Sequence, residues 1–339
     1  MRCYILALLS VGSLVGIASG QQPQVQSLGE RPLIKKRGTV DCGLVEFTPV
    51  VFRNRLYRFE SVRPGYKKGF CPPEVLPSSP GGYFRFIDEA SGAATPGFGR
   101  DYIQGCAFVH DDTMFVFGTA LKRTRIQVFW SKDLKEWSDQ PALTMPGPLA
   151  AFNTSVCKGR DGYVMAVECD GPKEEIGVRL THRFAASDDL LTWRLLPADR
   201  IYSKETMTAA PALRYFDDYY YLLYGYRKYI QQPPFERHEI RIVRSRDLIH
   251  WESSPFNPVL RHSAEDKLIA NKDLTAKQQA YVAATKLKKT SDPDLCEFEG
   301  KTVIYYSWGG NAGRQFLGRA EYDGTLKAFV TGFFPKRSD

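Results

Sequence analysis

The chain of 339 residues has no C-x-x-C pair and no histidine–cysteine spacing of the kind that holds zinc. No cofactor motif is present either, and only a structural cation is left open. Beyond the N-terminus no segment reaches 18 uninterrupted apolar residues, which excludes a helical membrane span in the body of the chain. The basic runs at 35–37 and 286–289 are short and carry no interleaved aromatics, which argues against a nucleic-acid surface.

What is abundant is aromatic: 18 Tyr and 21 Phe favour strands over helices. The first residues read as a targeting segment, with Arg2 as its positive charge, an apolar stretch over 4–17 and small residues at 18–20. The expectation is a signal peptide over 1–20, a Gln- and Pro-rich linker over 21–38, a folded domain over 39–339, and a secreted or periplasmic mature protein. Loss of Arg2 takes the formal charge from +8 to +7, a mildly basic field that suits acidic or sulfated polymers. Export permits disulfides, and Cys42 with Cys71 is the first pair to test. Cys106, Cys157 and Cys296 lie in apolar strand patterns and read as small buried hydrophobes.

Five hairpins recur along the chain. Their two-residue turns end at 54, 112, 162, 218 and 300, at intervals of 58, 50, 56 and 82. Each is flanked by β-rich runs, and regular recurrence is stronger than any single turn. In phase with them runs a second repeat, S-x-D-L-x-x-W, as SKDLKEW at 131–137, SDDLLTW at 187–193 and SRDLIHW at 245–251. Ser and Asp can close a local turn through backbone hydrogen bonds, while Leu and Trp suit packing between sheets. Four strands per period, five times over, predict an all-β, five-bladed β-propeller. The long interval holds a loosely helical insertion over 263–287, before the last blade, which either shapes a site or covers an edge.

In such a fold the loops entering the inner strands gather at one end of the axis. The five entrances carry Glu46, Gln104, Asn153, Glu205 and Asp292, and the returning strands bring Glu168, Arg227, Trp308 and Asn311 to the same rim. Carboxylates, amides, an arginine and an indole in one funnel suit a sugar ring, with its hydroxyl edge and apolar face.

Here the chain resembles a known group. The S-x-D-L-x-x-W turns and the D-P-x-hydrophobic entrance at 292–295 are similar to five-bladed glycoside hydrolases of families 43, 32 and 117, over roughly residues 40–335. The resemblance implies three axial carboxylates: a base or nucleophile, a general acid, and a third that tunes the acid. Cleavage needs one proton delivered and one water or carbon activated, so two carboxyls of unlike pKa are required. The relatives place acids at the first and second entrances, whereas here the second offers Gln104 and the D-P pair opens the fifth.

The expected catalytic residues are therefore Glu46, Glu168, Glu205 and Asp292, with Glu168 or Glu205 as acid and Asp292 or Glu46 as base. Expected substrate contacts are Asn153, His182, Arg227, Trp308 and Asn311. The expected partner is a poly- or oligosaccharide, and the chain is expected to be a monomer. The competing readings are a lyase or phosphorylase on the same fold, and a propeller that only binds carbohydrate.

Overall fold

The computed structural model describes residues 30–43, 46–64, 80–229, 236–310 and 315–335. The signal segment, Cys71 and Asn311 lie outside them.

Five antiparallel sheets form the blades. Blade I is β2 (Phe47–Phe52), β3 (Arg55–Val62) and β4 (Tyr83–Asp88). Blade II is β5 (Tyr102–His110), β6 (Thr113–Ala120), β7 (Arg125–Ser131) and β8 (Ser138–Thr144). Blade III is β9 (Ala150–Gly159), β10 (Gly162–Asp170), β11 (Thr181–Ser187) and β12 (Arg194–Leu195). Blade IV is β13 (Met207–Phe216), β14 (Tyr219–Tyr229), β15 (Glu236–Ser245) and β16 (Trp251–Ser253). Blade V is β17 (Lys289–Phe298), β18 (Lys301–Gly309) and β19 (Gln315–Tyr322), completed by β1 (Lys35–Cys42). The first strand of each hairpin (β2, β5, β9, β13 and β17) touches its counterparts in the two flanking blades, so the five close a ring.

The expected turns are present. Arg53–Asn54, Asp111–Asp112, Asp217–Asp218 and Glu299–Gly300 all have two positive-φ residues, the geometry whose twist matches that of paired strands. At the third hairpin only Gly162 has positive φ, at 107°.

The second repeat is a side-chain-built turn. In blade III, Ser187 Oγ accepts from Leu190 N at 3.0 Å, and Asp189 Oδ1 accepts from Leu191 N and Thr192 N at 2.8 Å. The other two copies repeat this pattern. With its backbone groups satisfied, the turn holds Leu134, Leu190 and Leu248 at φ 63°, 67° and 64°. Each tryptophan then packs onto an aromatic of the preceding blade: Trp137 on Phe86, Trp193 on Phe117 and Trp251 on Phe184. The motif is a fastener between blades.

Two expectations are corrected. Strand β1 begins at Lys35, inside the stretch read as linker, and blade I has three strands rather than four. The N-terminal strand is the outer strand of blade V, so the ring is closed by chain ends that pair with each other. The insertion holds a short turn of helix at Ala264–Lys267 and helix α1 (Ala276–Ala284), and it covers this closing strand. Thr39 N donates to Leu268 O at 2.7 Å. Asp266, fully buried, accepts from Tyr306 Oη at 2.8 Å and pairs with Lys36 at 2.6 Å. Helix α1 starts at a Thr275–Gln278 capping box, which satisfies its first free N–H groups.

Cys106 and Cys157 are buried as expected, whereas Cys296 is only half-buried, and burial pushes all three up to about 12.

Candidate active site

At the axial mouth four of the five inner hairpins are irregular. Their ladders slip at 103–106 in β5, at 209–212 in β13, at 291–294 in β17 and beside Glu168 in β10. Such bulges re-aim a side chain that a regular strand would keep on its sheet face. Gln104, Ala210 and Asp292 stand there at φ 56°, 50° and 49°, strained conformations for residues with a Cβ. Gly105, at φ 107°, is required: a Cβ on it would meet Phe117 O at 2.2 Å.

Three carboxyls meet at this mouth, two of them at these irregularities. Glu46 precedes β2 in blade I, Glu168 ends the apolar run of β10 in blade III, and Asp292 sits at the β17 bulge in blade V. Glu46 and Asp292 line an axial cavity of about 20 Å³ with Asn153, Thr154 and the Ala210–Pro211 and Pro293–Asp294 segments. That is room for about one water.

The three acids are not equivalent. Glu168 is 2 % exposed, and burial pushes its carboxyl up from 4.5 to about 7. Hydrogen bonds from Asn153 Nδ2 (2.9 Å) and Ala210 N (3.0 Å) pull it down, while the charges of Asp292 and Glu46 push it up. Glu46 is also raised, first by burial, but Arg63 opposes the rise, with Nη2 at 3.1 Å from both carboxyl oxygens. Asp292 is half-buried and accepts from Ser291 Oγ at 2.7 Å.

The remaining expected residues divide. Asn153 belongs to the site through Glu168. His182 lies directly across the ladder from Glu168 on β11, fully buried, and burial drives its pKa down to about 3, so it is a neutral ring. Arg227 is half-buried at the mouth end of β14, opposite Met207.

Three expectations fail on exposure. His182, as a fully buried ring, offers nothing to a substrate. Glu205 is solvent-exposed in a turn whose N–H groups bond to Ser203 Oγ, apart from the buried acids. Trp308 is fully buried: its Nε1 donates to Thr39 Oγ1 at 3.0 Å and its ring stacks on Phe316 at 4.7 Å. It fastens β1 to blade V and offers no face to a sugar.

Sequence reasoning overlooked Arg63 and Arg123 and gave Gln104 no role. Gln104 bridges: its side chain donates to Glu46, and its Oε1 accepts from Arg123 Nη1 at 2.9 Å. Arg123 stands in the β6–β7 turn at φ 59°, its guanidinium 3.7 Å from the Phe152 ring centre. A charged residue in a turn ordinarily signals solvent, so only the entrance Gln104 hinted at them.

The comparisons agree on the fold. No protein-family model and no curated protein matches the sequence. Among solved structures the chain is similar to one described as a glycoside hydrolase, at 15% identity and a TM-score of 0.55, covering 85% of this chain and 92% of that one. It is also similar to a thermostable family-43 glycoside hydrolase, at 12% identity and 0.53, over 83% and 90%. A Cellvibrio cellulosa alpha-L-arabinanase complexed with arabinohexaose aligns at 12% identity and 0.50, over 83% and 91%. At these identities the likeness establishes the five-bladed propeller architecture, the fold expected from the repeats.

Proposed function

We propose that the chain is a glycoside hydrolase that cleaves O-glycosidic bonds in a polysaccharide or its oligosaccharides. The observation that carries this reading is a cluster of three interacting carboxyls at the axial mouth, one of them, Glu168, pushed by burial to about 7. A carboxyl with that pKa is largely protonated at pH 6 and near the ideal for proton transfer at neutral pH. A propeller that only bound sugar would have no need of it.

In this mechanism Glu168 protonates the leaving oxygen. Asn153 and Ala210 N hold one of its oxygens, which fixes the direction of the other. As the proton leaves, the same two donors stabilise the new carboxylate. Asp292 is the base: it faces the axial cavity, carries no ion pair among the described residues, and is aimed by a strained bulge. Glu46, tied to Arg63 and Gln104, is the third carboxyl, and its charge helps keep Glu168 protonated. The proposed course is single displacement, in which the base activates water.

Export belongs to the same proposal and rests on the N-terminal pattern at 1–20. Among the described residues no helix is long and apolar enough to cross a membrane.

The test is a screen of neutral, uronic and sulfated glycans for released reducing ends, with Glu168→Gln and Asp292→Asn alongside. Turnover by the wild type that both variants retain would remove these residues from the mechanism. The anomeric configuration of the first product, read by NMR, decides between inversion and retention.

A further inference from the structure

The mouth of the axial site is not purely acidic. Guanidiniums stand among its carboxyls, and several are matched to an acid: Arg63 with Glu46 at 3.1 Å, Arg214 with Asp294 at 2.6 Å, and Arg179 with Asp170 at 2.7 Å. Arg123 is different. Only its Nη1 bonds to protein, to Gln104 Oε1 and, at 3.4 Å, to Ala151 O. Its Nε and Nη2 have no hydrogen-bond partner among the described residues.

Nor is Arg123 a loose surface side chain. Its backbone is fixed on both sides, N donating to Ala120 O at 2.7 Å and O accepting from Ala151 N at 2.9 Å. Its guanidinium carbon lies 3.7 Å from the Phe152 ring centre, a cation–π contact that restrains the group, as does the bond to Gln104. It does not line the axial cavity itself, but it lies close enough to Glu168, Glu46 and Asp170 for their charges to act on it, and through Gln104 it is tied to Glu46. A planar, pre-oriented fork with two free donors matches a carboxylate better than it matches a hydroxyl.

We infer that Arg123 receives a carboxylate of the substrate, so that the glycan cleaved carries a uronic acid beside the scissile bond; this rests on the glycosidase reading. The placement has a consequence for the reaction. A carboxylate seated on Arg123 neutralises a cation that makes no ion pair with an acid among the described residues. The field that would otherwise draw the proton off Glu168 is thereby weakened. Substrate binding and readiness of the acid are coupled through one residue.

The experiment uses the full chain with an oligouronide and its carboxyl-reduced counterpart, reading affinity by calorimetry and kcat/KM by reducing ends. The wild type should favour the uronide by about 10- to 100-fold, the worth of a charge-assisted pair. Arg123→Gln should lose that preference. Arg123→Lys, which keeps the charge without the fork, should restore only part of it. Phe152→Leu, which leaves the arginine but not its cation–π contact, should weaken the preference without abolishing it. Equal affinity of the wild type for both oligomers overturns the inference, as does a preference that survives in Arg123→Gln or tighter binding of a sulfated neutral oligomer. Cleavage of neutral glycans without any uronide preference would refute this assignment and leave the glycosidase reading standing. Arg123-dependent uronide binding without turnover would support the assignment and count against hydrolysis.

Discussion

Replacing Glu168 by Gln should change how stability depends on pH. The carboxyl is almost fully buried, and its pKa rises from 4.5 to about 7 in the folded protein. The folded state therefore holds the proton more tightly than the unfolded chain, and stability falls as pH rises between those two values. Its contribution is intact below pH 4.5 and lost by the time pH passes 7. The gap corresponds to about 3 kcal/mol. Glutamine preserves the geometry, because its carbonyl oxygen can accept from Asn153 Nδ2 and Ala210 N as Glu168 Oε2 does. It has no charge to bury. Urea midpoints of the two proteins should lie close together at pH 4 and separate towards pH 8, with the variant the more stable. Parallel curves across that range would refute the account of Glu168 as a carboxyl held neutral by burial.

Other outcomes follow from the same geometry. The kcat/KM of the wild type should decline as pH rises through about 7, the value at which Glu168 loses its proton, and a profile flat from pH 5 to 9 would contradict its role. Asp292→Asn should lower kcat by about 10²- to 10⁴-fold with little change in KM, the usual worth of a positioned base. Trp308→Ala should destabilise the fold by about 3–5 kcal/mol through the cavity it leaves, while Trp308→Phe should leave KM unchanged. Glu205→Gln should alter neither stability nor turnover measurably, since the side chain is exposed and outside the carboxyl cluster.

The architecture was legible because its signals are local and repeated. Asp217–Asp218 and its counterparts form turns wherever they occur, and the Ser187–Asp189 turn is completed by side chains within five residues. The closing strand was not legible. Its pairing with β19 joins residues nearly the length of the chain apart, and the 35–42 segment begins with charges that read as linker.

At the site, Glu46, Glu168 and Asp292 could be named because acids at strand mouths interrupt apolar patterns. Trp308 was misread because an aromatic near a rim gives no sign of which face it presents. Here Phe316 of the neighbouring strand β19 takes that face, and Thr39 of β1, two strands out from the tryptophan in the same sheet, accepts the indole N–H. Arg123 was missed because its function depends on Phe152 and Gln104, which come from two different strands.

The central claim is that Glu168 delivers the proton to the leaving group. The most direct measurement compares Glu168→Gln with wild type on two glycosides of the same sugar, one with an ordinary sugar leaving group and one with dinitrophenolate. The account predicts a loss of at least about 10²-fold on the first and near-normal cleavage on the second, whose leaving group departs without a proton. Equal losses on both substrates, or none on either, would contradict it.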